Sequence, residues 1–358
     1  MQSLLVVFLF QAFVECLLGK LYGADHDPIL LLEEPETHLH PHAVRSLWTY
    51  IDRLPGQKII TTHSPYFVQH VPFRDLRLVR LSENGTKVYS LPEKFSAAVP
   101  QCDAFEKIVT TSEKNLKYHP VSGTFTVTGK LDENIYRKLL TCYGQHEQRG
   151  IAESALSSLM SRSLLFISDE VLRRLETQGK RLRGEIFFSE GWLIVEGPSD
   201  FMITHAMAHA LGLDLDRYGV SVIDAKNHGN PASFALLSRA LDIPCQGVFD
   251  GDEAGEKYKR QINNYGLSSD QINGQCHIHE AGDLEAQLVS DGFRAELSKI
   301  LKKLGVPEVD QLDDRGFADE LRKKKRDYAP IFAKNLRHGT VKENQLIAFQ
   351  IAIKNLCG

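Results

Sequence analysis

Trp192-Leu193-Ile194-Val195-Glu196-Gly197-Pro198-Ser199-Asp200 is the stretch on which the fold turns. Its four apolar residues read as a short buried strand, and Gly197-Pro198 break it. A helical pattern follows, from Phe201-Met202-Ile203 to Ala210-Leu211. One acid therefore stands at the C-terminal edge of the strand, and a second stands four residues on, at the start of the helix. In an open α/β sheet that edge is where ligands bind. A later strand, Gly247-Val248-Phe249, ends in Asp250-Gly251-Asp252. Alternation along an extended chain puts both carboxylates on one face. Four acids at two strand ends, with glycines beside them, are the oxygen ligands that divalent metals take.

Working outward, Val220-Ser221-Val222-Ile223-Asp224 reads as a further strand that leads into the loop Ala225 to Asn230. Cys276 to His279 reads as another strand, and Asp283-Leu284-Glu285 follows it. Upstream, Ile29-Leu30-Leu31-Leu32 is a continuous apolar run, suited to a strand buried on both faces. It ends in Glu33-Glu34-Pro35-Glu36. A helix from Ala43 to Leu54 and a strand from Lys58 to Thr62 come next, and the strand ends in His63-Ser64-Pro65. The alternating runs 76–81 and 86–91 flank Asn84-Gly85, a hairpin signal that we expect to close this sheet. The segment from Ala97 onward reads as mostly helical, with helices at 134–143, 151–162 and 168–175 and a β-rich patch at 124–128.

The 358 residues suggest two or three domains with real cores, and 42% apolar and 25% charged residues are ordinary globular values. The formal charge of −4 neither marks nor excludes a nucleic-acid binder, because local patches and bound metals decide that. Six scattered cysteines without Cys-x-x-Cys read as reduced thiols of a cytoplasmic protein. The apolar run from Ser3 to Phe10 has no preceding Lys or Arg and is too short to span a bilayer, so it reads as a buried helix and no membrane is expected.

A Glu at the end of one strand, joined to Asp-x-Asp at the end of a later one, resembles the Toprim domain of topoisomerases, primases, recombination proteins and OLD (overcoming lysogenization defect) nucleases. The segment from Ile29 to Glu34 resembles the Walker B strand of an ABC-type ATPase head. By that match Glu33 is the magnesium-side acid, Glu34 polarises the attacking water, 35–42 is the D-loop region and His63 is the switch histidine. Glu33 departs from the more usual Asp. No Gly-x-x-x-x-Gly-Lys-Ser/Thr occurs, so no P-loop cradles a phosphate. Gln2-Ser3 resemble the tail of the signature segment. The expectation is a chain cut at its N-terminus that handles ATP poorly by itself, ATP belonging to the full-length context.

Together the two matches resemble an OLD-family ATP-dependent endonuclease. The implied fold is α/β throughout. A partial ABC-ATPase sheet (1–98) and a mostly helical connector (99–183) precede a Toprim domain with a parallel sheet (184–301) and a C-terminal helical extension (302–358). The resemblance implies metal-dependent hydrolysis of DNA with Mg²⁺ or Mn²⁺, two ions in all. It assigns metal ligation to Glu196, Asp200, Asp250 and Asp252, with Asp283 and Glu285 serving a second ion, and Glu196 stays open as a general base. Asp283 and Glu285 read equally well as a helix start capped by acids. A family lysine that stabilises charge on the phosphate matches Lys325, within Arg322-Lys323-Lys324-Lys325-Arg326. Lys226 and Asn227 are candidate DNA contacts. So are Lys180, Arg181 and Arg183, although a short basic run is more often solvated surface. DNA and a second copy, paired through the ATPase part, are the implied partners, and some members act in phage defence. A topoisomerase- or primase-like Toprim enzyme, and a non-catalytic regulatory or DNA-binding protein, remain as alternatives.

Overall fold

The computed structural model describes residue 14 and residues 28–82, 85–102, 105, 115–144, 147–179, 184–228, 230–263 and 274–358. The run Ser3 to Phe10, Gln2-Ser3, Asn84, Gly229 and the basic residues Lys180, Arg181 and Arg183 lie outside them. The chain forms two compact units, one of residues 1–76 with 176–189 and the other of residues 77–175 with 190–358.

In the first unit, β1 (Ile29–Glu33) and β2 (Gln57–Thr61) pair in parallel, with Glu33 opposite Thr61, and α1 (Pro41–Arg53) joins them. Proline at the first helical position starts α1, and Ala43, Val44, Leu47 and Ile51 form its buried stripe. A short helix, α2 (Pro65–Val68), follows β2. β1 is not buried on both faces as its apolar run suggests. Leu30 and Leu32 turn inward, whereas Ile29 and Leu31 are 64% and 70% exposed and Ile59 beside them is also exposed. Among the described residues, the two strands have α1 packed on the face that Leu30 and Leu32 share.

The second unit begins with the hairpin of β3 (Leu78–Ser82) and β4 (Gly85–Tyr89). These strands form a sheet of their own among the described residues and do not close the β1–β2 sheet. β5 (Phe95–Ala98), β6 (Leu116–His119) and β7 (Thr124–Val127) make an antiparallel sheet in the order β5-β7-β6. The segment expected to be mostly helical is therefore part sheet. The alternation Thr-Phe-Thr-Val in β7 turns Phe125 and Val127 into the core, where Phe105 meets Tyr118, Phe125 and Tyr143 edge-on. The helices α3 (Glu133–Thr141) and α4 (Arg149–Ser163) complete that core, and α5 (Asp169–Gly179) follows.

The remaining chain builds a four-stranded sheet with every neighbouring pair parallel. It runs β8 (Gly191–Val195), α6 (Pro198–Ala210), β9 (Val220–Asp224), α7 (Ala225–His228), α8 (Pro231–Ala240), β10 (Cys245–Phe249), α9 (Glu253–Asn263) and β11 (Cys276–Ile278). The order across the sheet is β11-β10-β8-β9. From β8 the chain crosses to one side, and from β10 it crosses to the other. The switch point of the topology thus lies between the C-terminal ends of β8 and β10, where a crevice opens.

Five helices follow: α10 (Leu284–Ser290), α11 (Arg294–Lys303), α12 (Asp314–Lys323), α13 (Lys325–Asn335) and α14 (Ile347–Cys357). They are no appendage. Leu193, Val195 and Val248 of the sheet share one continuous core with Leu297, Phe317, Tyr328, Phe332, Phe349 and Ile353. The two tryptophans, Trp48 in α1 and Trp192 in β8, report on different units. In a Trp48→Phe background, Phe349→Ala should lower the urea stability read by Trp192 fluorescence by about 3–5 kcal/mol. A Trp192 transition that stays in place would mean that the C-terminal helices fold separately from the sheet.

Candidate functional site

Glu196 directly follows β8, and Asp250 directly follows β10. The two strands are neighbours, so both acids stand at the switch point. They are joined directly, as the Asp250 N–H donates to Glu196 Oε2 at 3.2 Å. Pro198 opens α6 after Gly197, which puts Asp200 in the first helical turn, where the helix dipole favours an anion. The helix is nonetheless covered on nearly all sides, and Asp200 is 3% exposed.

Asp250 and Asp252 part company despite their spacing. Asp250 is buried and accepts the Leu284 N–H through Oδ1 at 3.1 Å. Asp252 is exposed at the rim and caps α9, with Oδ1 accepting from Ala254 at 2.8 Å and Gly255 at 2.9 Å. Glycine is required at this corner for room. A Cβ on Gly255 would lie 1.9 Å from the Asp250 carbonyl oxygen, and one on Gly251 would lie 2.4 Å from the His279 carbonyl oxygen.

The second acid pair is also divided. Glu285 is 1% exposed and is held from α13: Lys325 Nζ donates to Oε2 at 3.1 Å, and the Tyr328 hydroxyl donates to Oε1 at 2.7 Å. Asp283 is the N-cap of α10, its Oδ1 accepting from Ala286 at 2.9 Å. Its two oxygens also take a two-pronged grip from Arg322, with Nη2 to Oδ1 at 2.9 Å. The five-residue basic run is thus not one solvated face. It crosses the break between α12 and α13, so that Arg322 and Lys325 reach two different acids. Arg322, Tyr328 and the buried His279 were not singled out from sequence. Tyr328 sits three residues after Lys325, on the same helix face, and that spacing is a signal available once Lys325 is chosen.

The electrostatics follow from burial. Desolvation, with Lys325 pulling down and Glu285 pushing up, raises Asp200 to about 7. Desolvation and the neighbouring Asp200 and Glu196 raise Asp250 to about 8. Glu196 is raised as well, mainly by burial, against the Asp250 N–H bond. Burial acts to lower Lys325, but Glu285 and Asp200 outweigh it and the ammonium is held above its ordinary range. For Asp283 burial pushes upward, Arg322 and the Ala286 N–H outweigh it, and the net shift is downward. At the mouth, Lys226 is exposed, and its backbone N–H donates to the Glu196 carbonyl at 3.0 Å. Asn227 donates its side-chain amide to Asp224 at 2.6 Å, so that group is already engaged.

In the first unit, the ends of β1 and β2 bring Glu34 and His63 together, with Oε1 to Nε2 at 3.2 Å, and Glu34 adopts a left-handed backbone with φ 40°. Glu33 is exposed one residue earlier. Glu36 is buried and accepts the Thr62 hydroxyl through Oε1, and among the described residues its Oε2 has no hydrogen-bond partner.

Asp200 and Asp250 bind protons more tightly in the folded chain than at their ordinary 3.8. The contribution of these two acids to stability falls as pH rises from about 4 towards 8, because the unfolded chain holds fewer protons on them, whereas buried His279, lowered to about 4, acts the other way up to its ordinary 6.5. Melting temperatures in EDTA should therefore decline from pH 6.5 to pH 8, and Asp250→Asn should decline less steeply. Equal slopes would show that the acids are not coupled to the fold.

Residues 1–98 match a family described as "Protein of unknown function (DUF2813)", and residues 187–252 match "Overcoming lysogenization defect protein-like, TOPRIM domain". The "Uncharacterized protein YbjD" of Escherichia coli is 22% identical over 271 residues, covering 75% of this chain and 36% of that protein. The "OLD nuclease" of Thermus scotoductus is 26% identical over 255 residues, covering 70% of this chain and 34% of that protein. The chain thus matches about a third of the length of these relatives. The C-terminal region of the Xanthomonas campestris pv. campestris OLD protein aligns with TM-score 0.37 and 22% identity over 48% of this chain and 94% of that one. The C-terminal region of the Burkholderia pseudomallei OLD protein aligns with TM-score 0.39 and 18% identity over 47% of this chain and 97% of that one. The acids at the ends of β8 and β10 fall within the 187–252 match, so the segment that carries them is similar to the OLD-like Toprim domain.

Proposed function

We propose that the acidic crevice is a nuclease centre that hydrolyses DNA phosphodiester bonds with divalent metal, Mg²⁺ or Mn²⁺, two ions in all. Three carboxylates from three separate segments carry this assignment. Asp200, Asp250 and Glu285 are buried at one switch point, with Lys325 as the cation that faces all three. Buried like charges repel and are costly to desolvate, so a crevice with more acids than bases suits a cation. Glu196, Asp200, Asp250 and rim-placed Asp252 would share the metal positions, and Glu285 would hold the second ion. Asp283 sits beside them, gripped by Arg322.

When bound, such ions supply Lewis acidity and an activated water. The chain's own groups supply the rest. Lys325 Nζ is held at 3.1 Å from Glu285 and is placed to share the negative charge that builds on the phosphoryl oxygens. Tyr328 fixes the other Glu285 oxygen and so limits its rotation. Lys226 at the mouth offers a contact to the sugar-phosphate backbone, which positions DNA without reading its sequence. In the first unit, Glu33, Glu34 and His63 fit the Walker B and switch positions of an ATPase head. By that reading ATP binding, pairing of two copies and control of cutting belong to the longer family architecture. None of the described helices is long and apolar enough to cross a membrane.

Cleavage of supercoiled plasmid by the purified chain tests the proposal, with Mg²⁺, Mn²⁺, Ca²⁺ or EDTA, beside Asp250→Ala and Lys325→Ala. We expect nicked or linear product with Mg²⁺ or Mn²⁺, none in EDTA or with Asp250→Ala, and a loss of about 10²–10³-fold in rate with Lys325→Ala. A folded chain that cuts with no metal supplied, or cuts equally well as Asp250→Ala, removes the crevice from the chemistry. A folded chain that never cuts favours a regulatory or DNA-binding role.

A further inference from the structure

His279 is 2% exposed, and among the described residues neither of its ring nitrogens has a hydrogen-bond partner. A buried polar group left unpaired is destabilising, because it has lost its water and gained nothing in exchange. Its place is set by the sheet. The His279 N–H donates to the Phe249 carbonyl at 3.1 Å, one residue past the register pair Phe249–Ile278, so the residue comes to rest beside Asp250. The ring packs against Phe349 of α14 at a centroid distance of 5.2 Å. One ring nitrogen and one carboxylate oxygen each from Asp200 and Asp250 lie within 4.8 Å of one another. Neighbouring ligands at about 2.0–2.2 Å from one ion lie roughly 3–4 Å apart, so side-chain adjustment on binding can draw the three atoms onto a common centre.

We infer that His279 is a nitrogen ligand to a divalent cation held with Asp200 and Asp250, and that it biases this position toward Mn²⁺ over Mg²⁺. Mg²⁺ demands oxygen ligands and gives up its waters reluctantly, whereas imidazole suits the later first-row cations. Oxygen-only coordination would leave the imidazole buried with nothing to bond. Binding to the metal satisfies one nitrogen and neutralises two carboxylates in the same step. The site is shared with the proposed nuclease centre, but the ligation does not depend on DNA being cut.

Mn²⁺ added to the full chain gives a readout independent of activity. Pulsed electron paramagnetic resonance of the bound ion should show ¹⁴N coupling from a directly coordinated imidazole. His279→Gln should abolish the coupling and weaken Mn²⁺ about tenfold or more, with Mg²⁺ affinity, read by competition, changing several-fold less. Asp200→Asn should remove the bound signal. Bound Mn²⁺ without ¹⁴N coupling in the folded wild-type chain overturns the inference and needs no variant. Coupling that survives in His279→Gln comes from another histidine and overturns it as well. A chain that shows the coupling but cuts no plasmid keeps this ligand and loses the nuclease reading, and cutting with Mg²⁺ without coupling does the reverse.

Discussion

The burial of several carboxyl groups where β8 and β10 end is the constraint around which the second unit is organised. Glu196 and Asp250 are brought side by side by the parallel pairing of their strands, and Asp200 is carried in by the first turn of α6. In water these carboxylates would be ionised and separate. Here burial and mutual repulsion hold Asp200 and Asp250 close to neutrality until about pH 7–8. Such an arrangement is costly to fold and ready to accept a cation, which is the usual physical signature of a site as opposed to a scaffold.

The C-terminal helices supply the positive charge in protein form. Arg322 ends α12 against Asp283, Lys325 begins α13 against Glu285, and Tyr328 closes on the same Glu285 one helical turn later. Because α13 also buries Tyr328, Ala329 and Phe332 in the core that lies against α6, the charge contacts and the packing reinforce each other. A helix shift large enough to free Glu285 would have to break apolar contacts as well, and the acid is thereby held to one geometry.

The first unit is built differently. Glu34 and His63 meet through nothing more than the parallel register of β1 and β2, and Glu34 leaves the strand in a left-handed conformation that non-glycine residues seldom adopt. Backbone strain of this kind gathers at ligand-handling turns. Nearby, Glu36 has one buried oxygen bonded to Thr62 and the other without a hydrogen-bond partner among the described residues.

The amino-acid sequence by itself determined the strands that end in acids. Trp192 to Val195 is apolar at four successive positions, Gly197-Pro198 breaks it, and Asp250-Gly251-Asp252 repeats the arrangement, because strand propensity, turn chemistry and the identity of the flanking residue are all local. Lys325 could be chosen only by family resemblance, and its partner could not be read from the chain at all. Tertiary structure decided the rest. The strand order β11-β10-β8-β9, set by crossovers, determined which acids meet. It separated Asp250 from Asp252 by burying one and giving the other to a helix N-terminus, and it paired the β-rich patch at 124–128 with strands at 95–98 and 116–119. It also brought His279 beside two carboxylates 29 and 79 residues away, a distance along the chain that no local pattern encodes.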